Sequence, residues 1–173
     1  TGPKELTLPI ATSLYNKEVK KAVDGVVTIK VQNYQKISLA TVQSLQKLAA
    51  SKKVTLVIVF DWISNGAVMS RYTVDVSKID SDLLLFQTDK EQMYRSFFEQ
   101  YYSNKLSVQS VGGKGVEASV AVRLPSDDVA DKLIVYSYDS VTNKYYQIDS
   151  AKITFDSNGY AHFRSNGGDV FIL

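Results

Sequence analysis

The chain has 173 residues, 20 Lys and Arg against 18 Asp and Glu, a formal net charge of +2, and no cysteine. Disulfides and thiolate metal sites are therefore excluded. The interspersed charges lack the basic stripe of a nucleic-acid binder, and no apolar run approaches the ~20 residues needed to span a bilayer. The length suits one domain, residues 1–173, with a core that needs no staples and a soft boundary near 112–115. The opening TGPKEL lacks the regions of a signal peptide and reads as the cut edge of a longer protein or a tag remnant. Eleven Tyr and seven Phe, with many Val and Thr, suit pleated sheet.

In chain order, KELTLPI (Lys4–Ile10) alternates Leu6, Leu8 and Ile10 and predicts a short edge strand, given Pro9. NKEVKKAVDG predicts a helical turn ending at Gly25, and GVVTIKVQ a strand with Val27, Ile29 and Val31 on one side. ISLATVQSLQKLAASKK predicts an amphipathic helix. Ser38 is its N-cap, Leu39, Val42, Leu45, Leu48 and Ala49 share a face, and Lys52 and Lys53 sit where the dipole favours cations.

VTLVIVF (Val54–Phe60) is apolar throughout, as a covered strand would be. DWISNG is the expected bend, with Asn65-Gly66 as its turn, and VMSRYTVDV returns antiparallel. SDLLLFQ predicts a short strand. TDKEQMYRSFFEQYYSN predicts a helix with Thr88 and Glu91 in capping-box register. Its two aromatic stripes suggest a helix wedged into the body of the domain.

The rest predicts strands. KLSVQSV and GVEASVAVRL meet across Gly112-Gly113, LIVYSYD and KYYQID flank SVTN, AKITFD and YAHFRS flank SNG, and DVFIL closes the chain. The expected fold is mainly β, an antiparallel, Ig-like β-sandwich with two α-helices.

The order of these elements resembles a β-sandwich module that recurs in extracellular multi-modular proteins, of cellulosome and cell-surface type, from clostridial and ruminococcal anaerobes. The residues that carry the resemblance are the capped helix ISLATVQSLQKLAASKK, the hairpin VTLVIVF…MSRYTVDVSKI whose second strand carries Tyr72-Thr73, the Tyr-rich YSYDSVTNKYY, and the closing NGYAHF and DVFIL. It covers roughly residues 26–173 by pattern. The aromatic helix and Trp62 depart from the family's usual features. The resemblance implies a secreted or cell-surface, non-catalytic module, one that binds polysaccharide or serves as a spacer or docking support for neighbouring modules.

The residues themselves show no nucleophile elbow and no Walker spacing, and the single His162 lacks a cysteine partner. Paired carboxylates such as Asp80 and Asp82 read as turn residues. No cofactor is expected. Calcium at DSVTN or DSNG would suit hard oxygen ligands, with turn chemistry the simpler account. Sugars stack their C–H faces on aromatic rings and need polar neighbours. Trp62 with Asp61 and Asn65, and Tyr145 with Lys144, are therefore the candidate carbohydrate contacts. Phe60 and Trp62 share one side of the strand, so the indole either extends the core or forms an exposed contact.

Overall fold

The computed structural model describes residues 4–100, 107–125, 133–139, 142 and 144–172. It is mostly β, 42% strand against 30% helix, with three α-helices among the described residues rather than the expected two. The chain divides into two compact units, Thr1–Leu84 and Leu85–Leu173.

The first unit opens with a helix, α1 (Leu8–Glu18), where alternation suggested a strand. Pro9 falls in the first turn, where its missing N–H costs nothing. Ala11 and Tyr15, one helical turn apart, are buried, whereas Leu8 and Ile10 are exposed. Three apolar residues at spacing two therefore misled, and the helical spacing governs.

The strand β1 (Val26–Gln32) follows, then the two-residue β2 (Lys36–Ile37) and α2 (Leu39–Lys52). The Ser38 hydroxyl accepts from the Thr41 amide at 3.2 Å, as a cap should, and Lys53 closes the helix in the left-handed region. Helix α2 buries Val42, Leu45 and Ala49. It links β1 to β3 (Thr55–Ser64), which runs parallel to β1, a departure from an antiparallel fold that requires such a crossover. The strand β4 (Ala67–Asp75) then pairs antiparallel with β3, and β5 (Leu83–Leu84) pairs with β2. Register aligns Val27, Ile29 and Val31 with Leu56, Ile58 and Phe60, and the last two with Val74 and Tyr72. This is the buried face of the sheet.

Tyr72 is wholly buried edge-on to Phe60, with ring centroids 6.4 Å apart, yet its hydroxyl has no hydrogen-bond partner among the described residues. Burial alone pushes its pKa well above the usual phenol value. An unpaired buried hydroxyl is a net cost. Tyr72→Phe is therefore expected to stabilise the protein by about 1 kcal/mol in denaturant unfolding. A loss of stability would show that the hydroxyl is satisfied after all.

The described residues of the second unit form α3 (Glu91–Phe98) and seven strands: β6 (Ser107–Gly112), β7 (Ala118–Arg123), β8 (Leu133–Asp139), β9 (Lys144–Gln147), β10 (Thr154–Phe155), β11 (Tyr160–Ser165) and β12 (Gly168–Ile172). Both hairpins expected at the C-terminal end form, β8 with β9 and β10 with β11. The expected β6–β7 hairpin does not. Gly112, Gly113 and Gly115 all take positive φ, and the Val116 amide donates to the Gly113 carbonyl at 3.2 Å, but the turn so closed does not pair the two strands. Strand β6 pairs with β12, and β7 pairs with β11.

Of the expected stripes on helix α3, Met93 is 59% exposed and Tyr94 is half-buried, while the side chains of Phe97 and Phe98 lie outside the described residues. Glu91 does not close a capping box. Its carboxylate accepts from the Ser110 amide at 3.0 Å and ties α3 to β6. Tyr101 and Tyr102 of the expected stripes lie outside the described residues.

Candidate functional site

The β3–β4 hairpin positions the first group of candidate residues. Asn65 and Gly66 both take positive φ (52° and 76°), the conformation of a two-residue type I′ turn, with Ser64 opposite Ala67. The expected bend at DWISNG is therefore confined to Asn65-Gly66, and the strand runs straight through Trp62. A register shift follows Trp62. It faces Ser70 while Ile63 faces Val68, so Met69 is the extra residue of a β-bulge.

Asn33 braces this end from the side. Its left-handed backbone (φ 61°) follows the end of β1, its amide donates to the Asp61 carbonyl, and its Oδ1 accepts from the Ile63 amide at 2.7 Å. The side chain thus extends the β1–β3 ladder past the point where the strand itself stops.

Register separates Trp62 from Asp61. Trp62 continues the face of Ile58 and Phe60 and is partly exposed at its end. Asp61 points to the other face, where it is buried directly opposite Arg71. Arg71 Nε and Nη2 donate to its two oxygens at 2.7 and 2.9 Å. The Asp61 carboxylate is thus consumed by the fold. A ligand on the indole cannot share it, because successive strand residues face opposite ways. Ser70 stands opposite Trp62, and Asn65 is exposed at the tip of the turn three residues on.

In the second unit, Lys144 stands opposite Asp139 and Tyr145 opposite Tyr138. Lys144 is exposed, and alternation places it with Tyr146, which is 50% exposed, rather than with Tyr145. The side chain of Tyr145 lies outside the description, as do Ser140, Val141 and Asn143 of the DSVTN turn.

At the DSNG turn, Asp156 Oδ1 accepts from the amides of Asn158 (2.8 Å) and Tyr160 (3.1 Å), while Oδ2 meets His162 Nε2 at 2.6 Å. The His162 hydrogen bond first, then the backbone N–H of Tyr160 and that of Asn158, hold the Asp156 carboxyl below the usual carboxylate range. This is turn chemistry with both oxygens engaged. Among the described residues no group of three or more His, Asp or Glu side chains is placed to hold a metal ion.

Sequence reasoning missed one polar surface. Once β7 pairs with β11, alternation puts Ser119, Ala121 and Arg123 beside Tyr160, His162 and Arg164 on the solvent side, while Val120, Val122, Ala161 and Phe163 are buried. The alternation was readable in ASVAVR and YAHFRS separately. The pairing that joins them was not. In the first unit, a groove of about 180 Å³ between α2, the start of β3 and residues 75–77 is pinned by Gln46, whose Nε2 donates to the carbonyls of Val76 and Ile79.

No known protein family matches the chain, and no curated protein or solved structure is similar to it. No helix among the described residues is long and apolar enough to cross a membrane.

Proposed function

We propose that this chain is a non-catalytic, polysaccharide-binding module of a secreted or cell-surface bacterial protein, as the resemblance implied. Its strands would stack as a β-sandwich, and it would need no cofactor and no nucleic acid. The observation that carries this reading is the partly exposed indole of Trp62, held on the bulged β3–β4 hairpin three residues before the exposed Asn65. A stiff strand presents a ring for stacking at little entropic cost.

The test is titration of Trp62 fluorescence with soluble starch and cellulose oligosaccharides, with affinity electrophoresis in the same glycans. Emission should shift on binding, and Trp62→Ala should weaken retention about tenfold, the loss expected for an aromatic contact worth about 1–1.5 kcal/mol. Unchanged retention in a folded Trp62→Ala variant would sink the assignment.

A second reading, a spacer or docking support for neighbouring modules, is favoured by the internal engagement of Asp61 and Asp156. It expects no glycan shift, and capture of an adjacent module in a pull-down instead.

A further inference from the structure

The solvent face of β7 and β11 carries chemistry that the Trp62 reading leaves unused. Arg123 stands opposite Tyr160, Ala121 opposite His162, and Ser119 opposite Arg164. The two arginine rungs lie on either side of the Ala121–His162 rung, four residues apart along the strands, or about 13 Å. Between them the middle rung carries the Ala121 methyl group and the His162 imidazole, which is held by Asp156.

The two guanidiniums are open to exchange. Arg123 is exposed. Arg164 donates to the Ser119 hydroxyl at 2.9 Å and meets Glu117 at 3.6 Å, with side chains 65% and 68% exposed. A long ion pair in water holds its partners weakly. Asp156, beside this face, already takes three donors, His162 among them, and competes little for either arginine.

We propose that this face binds a linear acidic polysaccharide, its uronate carboxylates on Arg123 and Arg164 and a sugar ring against Tyr160. The proposal shares the glycan-binding reading but assigns an acidic glycan to residues other than Trp62, as a second contact surface. Guanidinium matches carboxylate geometry with paired N–H donors. The separation of the two arginines calls for an oligomer rather than a single sugar. A neutral glycan would leave both charges without a counterpart.

The experiment is affinity electrophoresis of the full chain in polygalacturonate and in neutral hydroxyethylcellulose. The variants are Arg123→Gln, Arg164→Gln, Trp62→Ala and, as a charge control, Lys52→Gln with Lys53→Gln. Retention by polygalacturonate should weaken with salt and fall about tenfold for each arginine removed. It should be unchanged in the lysine control and in Trp62→Ala. Polygalacturonate retention that survives both arginine changes, or falls equally in the lysine control, overturns the proposal. So does equal retention by single-stranded DNA. Retention by the neutral glycan alone, lost in Trp62→Ala, overturns it while leaving the glycan reading intact. No retention in either matrix overturns both.

Discussion

Gly167→Ala is expected to destabilise the protein by about 3 kcal/mol, or roughly 6–12 °C in melting temperature for a chain of this size. Gly167 links β11 to β12 with φ +102°, outside the range an L-residue adopts comfortably. A Cβ there would lie 2.5 Å from the Lys114 Cα and 3.0 Å from its amide nitrogen. Those are backbone atoms, so no side-chain rotation relieves the clash. The Lys114 loop cannot simply retreat either, because the Gly115 amide donates to the Asn166 carbonyl at 3.1 Å. The Gly167 amide in turn donates to the buried Ser165 hydroxyl.

Gly66→Ala separates the two causes. Its φ is also positive, +76°, but nothing lies within 4 Å of the added carbon. It should cost only the backbone term, about 1 kcal/mol. Thermal melts of both variants decide the matter. Equal losses would mean that the close approach to Lys114 contributes nothing.

Some local signals proved readable because one segment holds all the information, although the equally local Thr88–Glu91 capping register lost Glu91 to the Ser110 amide. The Ser38 cap, the α2 face and the Asn65-Gly66 turn each depend on residues a few positions apart, and each forms. KELTLPI failed because three apolar residues at spacing two fit a strand, while the deciding pair, Ala11 and Tyr15, lies beyond the stretch. The β6–β7 hairpin failed for a different reason. Glycines that permit a turn do not compel one, and the partners of β6 and β7 are set by distant strands. The candidate site shows the same division. Trp62 and Asn65 could be singled out from sequence, but the diversion of Asp61 to Arg71 follows only from cross-strand register. So does the assembly of Arg123, Tyr160, His162 and Arg164 on one face.

That register makes Arg71→Ala the second large effect, about 2–3 kcal/mol in denaturant unfolding. The figure lies below the loss for a fully buried pair because the arginine side chain is 45% exposed. The carboxylate it leaves behind is only 9% exposed and would lose two charge-assisted hydrogen bonds at once. Asp61 belongs to the central strand of the β1–β3–β4 group, flanked by Gln32 and Arg71, so its carboxylate cannot swing to water without disturbing the ladder. Removing both partners should therefore hurt less than removing the arginine alone. Asp61→Ala with Arg71→Ala is expected to recover about 1 kcal/mol relative to Arg71→Ala, since no buried charge remains unpaired. The pair lies one residue before the β-bulge, so the single variant should also loosen the hairpin end that carries Trp62, seen as a shifted indole emission. A double variant no more stable than Arg71→Ala, or a single variant costing under about 0.5 kcal/mol, would show the pair to be an ordinary surface contact.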